Sequence, residues 1–123
     1  MPPSYLRRRL DSFRFAFKGF SVLMSQHNAH LHALAAVVAC VAGFAFRISA
    51  MEWCMVVLAI AVVGTAEALN TAIEIVTDRI SGGYDGLAAK ARDVAATGVL
   101  IAALGSLAIA ALVFGPHVAA LLR

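Results

Sequence analysis

Thiol chemistry is scarce in this sequence. Its two cysteines, Cys40 and Cys54, stand in separate apolar stretches without CxxC or other ligand spacing, so free buried thiols are expected rather than a metal site. No GxxxxGK[ST] run occurs, which excludes a conventional phosphate-loop nucleotide-binding domain. The basic residues come without an aromatic-interleaved patch or a DNA-binding motif, so nucleic acid is not an expected partner. Internal repeats and low-complexity segments are also missing. Charge itself is thin, at 14% of residues.

What fills the chain instead is apolar. Of 123 residues, 62% are hydrophobic, and the mean hydropathy is +0.87. Soluble domains carry roughly 45–50% apolar residues, so this excess needs lipid as solvent. The length suits one domain, 1–123, and leaves no room for a large soluble core beside a membrane anchor.

The few charges are unevenly placed. Arg7, Arg8, Arg9, Arg14 and Lys18 precede the first long apolar run, and Arg79, Lys90 and Arg92 lie between the second and third. Arg47 alone separates the first two, and Arg123 closes the chain. Cytoplasmic segments collect Lys and Arg, which places the N-terminus and second connection inside and the first connection and C-terminus outside. Arg14 and Lys18 interrupt the early apolar segment, so a cleavable signal peptide is not expected.

Leu6, Leu10, Phe13, Phe17, Phe20 and Met24 recur at steps of four or three. They form one apolar stripe with Arg7, Arg8, Arg14 and Lys18 off it, the pattern of a helix lying in the membrane interface over about 5–28. Packing on the protein's own spans would give the same stripe. Three spans follow, over about 31–48, 51–80 and 94–114. The expected fold is all-α: an N-terminal amphipathic interfacial helix plus three transmembrane helices.

Finer signals mark the joints. Arg47, Ile48 and Ser49 make a short turn, Ser49 and Glu52 form a capping box, and Trp53 sits at the outer interface. Ser81, Gly82 and Gly83 end the second span, 84–93 is the polar inner loop, and Gly115 and Pro116 follow the third span. On that last span Gly98, Ala102, Ser106 and Ala110 repeat every fourth residue, a spacing that lets membrane helices approach closely within or between subunits.

The chemistry is concentrated on the second span. Glu67, Asn70, Glu74 and Asp78 fall within an arc of about 80° at 100° per residue, along about 16 Å of helix. An acidic residue at mid-membrane costs about 2.5–3.5 kcal/mol on insertion scales, so such groups face protein or water and default to function. Glu67 lies about 22 Å along the helix from Glu52, in the inner half of the bilayer, with Glu74 near the cytoplasmic interface. One carboxylate thus meets a lipid-dissolved partner and the next a water-dissolved one. Helix–helix glue, or a cation or proton path through a small oligomer, would use the same residues.

The run Glu67-Ala-Leu-Asn70-Thr-Ala-Ile-Glu74, followed by Asp78-Arg79, resembles the E-x-x-N-[ST]-A-I-E-x-x-x-D signature of the prokaryotic integral-membrane diacylglycerol kinase and undecaprenol kinase family. Lys90-Ala-Arg92-Asp93 and the apolar run after it resemble that family's K-D element and third helix. Ser12-Phe13-Arg14-Phe15-Ala16-x-x-Gly19 and Asn28-Ala29-His30-Leu31-His32 look more like the undecaprenol kinase branch. The resemblance covers about 12–112.

It implies a homotrimer of the bacterial inner membrane that phosphorylates a lipid alcohol with Mg²⁺ and ATP. Glu67 would be the general base, Asn70 would help position the reacting groups, and Glu74 would ligate the metal. Arg8, Phe15, Asp78, Tyr84, Asp85, Arg92 and Asp93 would stand around the nucleotide. Gln26 occupies the place of a second metal-binding glutamate, and an amide oxygen is the weaker ligand for a hard cation. An inactive kinase-like subunit is the reading that this exchange motivates. Phe15 replaces a tyrosine, Asp85 a histidine and Arg92 a lysine, the last keeping charge but changing geometry. His27, His30 and His32 could bind zinc, yet no further ligand is apparent, and hydrogen bonding at an interface is the simpler role.

Overall fold

The computed structural model describes residues 4–81 and 86–123. Tyr84 and Asp85, with Gly82 and Gly83, lie outside the described residues. Four helices account for the described chain: α1 (Tyr5–Met24), α2 (His27–Phe46), α3 (Ala50–Ser81) and α4 (Gly86–Leu121). The last three are each long and apolar enough to cross a membrane.

Ser4 starts α1, its hydroxyl accepting the Arg7 N–H at 3.3 Å. The stripe from Leu6 to Phe20 is exposed, and only near the end of the helix do Leu23 and Met24 become half-buried. A helix that leaves such an apolar face uncovered suits a membrane surface, where phenylalanines enter the acyl boundary and cations stay with headgroups.

The α2–α3 joint is the most sharply specified part of the chain. Arg47 adopts the left-handed conformation (φ 54°, ψ 52°). Its N–H donates to the Phe44 carbonyl at 3.3 Å, and the Ile48 N–H donates to the Gly43 carbonyl at 3.1 Å. This is a Schellman closure, made here without the usual glycine. Ser49 then caps α3 as the sequence predicts: its Oγ accepts the Glu52 N–H and Glu52 Oε1 accepts the Ser49 N–H, both at 3.1 Å. The Trp53 ring is half-buried, 4.8 Å from that of Phe44, and covers Gly43.

α3 matches the expected 51–80 to within a residue at each end, whereas α4 exceeds the expected 94–114. At 1.5 Å per residue the 32-residue α3 spans about 48 Å, against a hydrocarbon core of about 30 Å, so an end of it projects into water. α4 already begins at Gly86, so 86–93 is helix rather than loop. That segment is rich in alanine, and Ala88 is buried. Nor do Gly115 and Pro116 stop the helix, because Pro116 lies inside it. Proline removes one backbone donor. The turn is secured instead from the side, where His117 Nε2 meets Glu52 Oε2 at 3.1 Å and its ring lies 5.6 Å from that of Phe46.

α3 and α4 form the main helix–helix contact. Ala102 is buried, and Ser106 donates its hydroxyl to the Ala59 carbonyl at 3.4 Å, so the small-residue stripe serves packing within the chain. The apolar core is built from Ile48, Val56 and Val113, with Phe46, Trp53 and Phe114 against it, all near the α2–α3 joint. The opposite half is looser and carries the polar stripe.

A Cβ added at Gly43 would stand 2.6 Å from Trp53 Cη2. Gly43→Ala should therefore destabilise the protein by about 1–3 kcal/mol, as overpacking does. At Gly105 nothing lies within 4 Å, and Gly105→Ala should be neutral or mildly stabilising, by up to about 1 kcal/mol. Thermal unfolding in detergent compares the two.

Candidate active site

The acidic stripe of α3 is graded by burial. Glu67 is 3% exposed and Asn70 8%, Glu74 is half-buried, and Asp78 is exposed. The gradient follows the helix out of the bundle. Of the neighbouring threonines, Thr71 is buried, and the Thr77 hydroxyl donates back to the Ile73 carbonyl at 2.8 Å.

Each acid meets a different partner. His32 Nδ1, from α2, lies 2.8 Å from Glu67 Oε1, although off the line of an aligned hydrogen bond. Asn70 Nδ2 donates to Glu74 Oε1 at 3.3 Å, one turn apart on α3. That leaves Asn70 Oδ1 buried and unsatisfied. Further out, Arg92 of α4 reaches Asp78 at 3.3 Å. The site predicted from α3 and the start of α4 is therefore brought together as a ladder of three pairs.

The remaining predicted residues are placed differently. Among the described residues, Arg8, Phe15 and Gln26 make hydrogen bonds and ring contacts within or next to their own helix: the Arg8 carbonyl accepts from Ser12, Phe15 lies under Lys18, and Gln26 Nε2 reaches Ser25 Oγ. Asp93 is exposed, its carbonyl accepting the Thr97 hydroxyl. Tyr84 and Asp85 fall outside the described residues. The three histidines do not converge, since His30 Nε2 contacts the Met24 carbonyl, His27 is exposed and His32 faces Glu67.

Glu67 and His32 also stand at one end of a cavity of about 550 Å³. It lies in the gap between α2 and α4, floored by α3, with Phe20, Leu23 and Met24 of α1 beside its polar end. Ala36, Ala39, Ala59, Gly64, Ala103 and Ala110 leave the space that larger side chains would fill. Among the described residues, the only hydrogen-bonding side chain in its wall besides Glu67 and His32 is Ser106, already committed to Ala59. Such a cavity admits an apolar chain and offers one polar end to a head group.

His32 is what sequence reasoning missed as a partner of Glu67. The signal was available: a three-residue turn makes α2 and α3 a helical hairpin, and polar residues at similar distances from its turn lie at one level. Read alone, His32 was one of three histidines in six residues.

Comparisons with known proteins identify the family. Residues 14–114 match the model of the family described as prokaryotic diacylglycerol kinase. An undecaprenol kinase of Bacillus subtilis is 36% identical over 112 residues, covering 90% of this chain and 91% of that protein. A diacylglycerol kinase of Synechocystis is 35% identical over 99 residues, which is 79% of this chain and 57% of the longer relative. With a family match across most of its length and an acidic ladder on its middle span, the chain belongs to the prokaryotic diacylglycerol kinase family of integral-membrane lipid kinases.

Proposed function

We propose that this chain, as one domain over 1–123, transfers the γ-phosphoryl group of ATP to the hydroxyl of a membrane lipid alcohol in a Mg²⁺-dependent reaction. The observation that carries this reading is the position of Glu67. It is a buried carboxylate at the polar end of an apolar cavity, on the same helix face as Asn70, Glu74 and Asp78. Phosphoryl transfer depends mainly on positioning and charge neutralisation, which this ladder can supply.

Glu67 acts as the base. As the lipid oxygen attacks the γ-phosphorus, its proton passes to Glu67, the new O–P bond forms, and the bond to the bridging oxygen breaks to release ADP. Asn70 holds Glu74 in place through its amide N–H. Arg8, Phe15, Asp78, Tyr84, Asp85, Arg92 and Asp93 surround the nucleotide, Arg92 supplying positive charge to the phosphates. The donors at the inner end fit a hard cation: the Glu74 carboxylate and the buried, unsatisfied Asn70 oxygen are oxygen ligands. Glu74 and Gln26 would hold Mg²⁺, which neutralises phosphate charge when bound.

The topology that suits this chemistry puts the N-terminus and the α3–α4 connection in the cytoplasm of a bacterial inner membrane. A homotrimer is the assembly we assign, and it would bring Arg8, Phe15 and Gln26 to the ladder of a neighbouring copy. Ion conduction is the weaker reading. On the side of Glu67 away from Asn70, the described cavity wall offers only Ser106, already bonded to the Ala59 carbonyl, so the polar stripe does not continue along the cavity among the described residues.

The cavity also bears on the acceptor. Diacylglycerol places two ester groups beside its hydroxyl, and a buried polar group without a hydrogen bond costs about 1–3 kcal/mol by protein mutational data. Next to Glu67 and His32 the wall offers no further donor for an ester among the described residues. A polyprenol, hydrocarbon immediately after its hydroxyl, fits better. In a lipid panel with Mg-ATP, undecaprenol should be turned over at least about tenfold faster than diacylglycerol, which corresponds to 1.4 kcal/mol. Absence of any phosphorylated lipid would reject the kinase.

Glu67→Gln should lower kcat by about 10²-fold or more, as loss of a general base does. Full turnover by that variant would remove the assigned role. At the metal site, Gln26→Glu should lower the Mg²⁺ concentration needed for half-maximal rate, because a carboxylate binds a hard cation better than an amide. Activity confined to Gln26→Glu would identify the natural chain as an inactive subunit.

A further inference from the structure

We propose that His32 is the positioning residue of the acceptor site: its Nδ1–H holds one oxygen of Glu67 so that the other faces the lipid hydroxyl. The inference rests on Glu67 being the base. It begins from the fact that a desolvated carboxylate needs a partner. Among the described residues, the candidates to hold Glu67 are few. Asn70 turns its side-chain amide to Glu74, and Ser106 spends its hydroxyl on the Ala59 carbonyl. No Lys or Arg lines the cavity, and its only titratable side chains are Glu67 and His32. His32 Nδ1 stands 2.8 Å from Glu67 Oε1.

The off-axis approach of that contact is what resting sites commonly show, with alignment reached when substrate is bound. Engaging Oε1 from the α2 side leaves Oε2 as the oxygen that accepts the proton. His32 keeps its own proton throughout, so it orients the base without joining the transfer. Being half-buried at the cavity wall, it also fixes the depth at which the hydroxyl of the acceptor meets the base.

Two measurements test this. In bilayers without nucleotide, protein labelled with ¹⁵N-histidine should show a protonated Nδ1 at His32 whose signal moves in Glu67→Gln. A bare Nδ1, or a signal indifferent to that substitution, overturns the proposal. For turnover, the side-chain nitrogen of asparagine can stand where Nδ1 does, whereas that of glutamine reaches the place of Nε2. His32→Asn should therefore keep kcat within about threefold, while His32→Ala and His32→Gln lose about 10–100-fold with KM for Mg-ATP unchanged, the size of a lost charge-assisted hydrogen bond.

Full kcat in His32→Ala, or equal losses in His32→Asn and His32→Ala, overturns the positioning role. If His32→Ala unfolds, the Asn against Gln contrast and the nitrogen signal still decide. Full turnover by Glu67→Gln is a separate failure, that of the base itself.

Discussion

The structure depends on one constraint: a carboxylate placed deep in a membrane span must be surrounded by protein. At mid-membrane an acid costs about 2.5–3.5 kcal/mol against lipid, and Glu67 is the most buried charged side chain described. That single residue makes α3 the central helix. α4 must run along it closely, which the small residues Ala102 and Ser106 allow. α2 must return past it, which the tight Arg47 joint enforces. The end of α1 then folds over the same level, where Phe20 and Met24 join the cavity wall.

The bundle divides its labour along its length. Near the α2–α3 joint, aromatic and branched side chains interdigitate: Trp53 on Gly43, Ile48 and Val56 against Val113. The Glu52–His117 contact ties the far end of α4 to the start of α3. Toward the other end the helices separate and alanines replace larger residues, so an open volume takes the place of a core. Stability is thus concentrated where no chemistry is read, leaving the opposite half free to admit a ligand.

Much of this architecture was legible because its causes are local. Hydropathy set the spans, and the Ser49–Glu52 box formed as its spacing requires. Residues 86–93 and Pro116 were misread because local signals met tertiary support: buried Ala88 extends the start of α4, and His117 secures the turn around Pro116. On the site, helical periodicity put the acids of α3 on one face, but only the register between helices shows that His32 stands opposite Glu67. Arg8, Phe15 and Gln26 remained apart for another reason. Resemblance joins them to the ladder, whereas within one chain their bonds stay on their own segments.

The order of burial along α3 gives the ladder its direction. Glu67 is enclosed, Glu74 half-enclosed, and Asp78 open to solvent with Arg92 beside it. A hydroxyl carried on an apolar chain can approach the first without leaving a lipid-like cavity, because the wall there is hydrocarbon. A triphosphate cannot go there, since its charge would be stripped of water with few groups to compensate. On the proposed reading it is held further along α3, where the half-buried Glu74 carboxylate and the Asp78–Arg92 pair stand nearer to bulk solvent. The proposed reaction would thereby bring two substrates that share no solvent within a few turns of one helix, the reacting atoms meeting at the boundary between its buried and its open half.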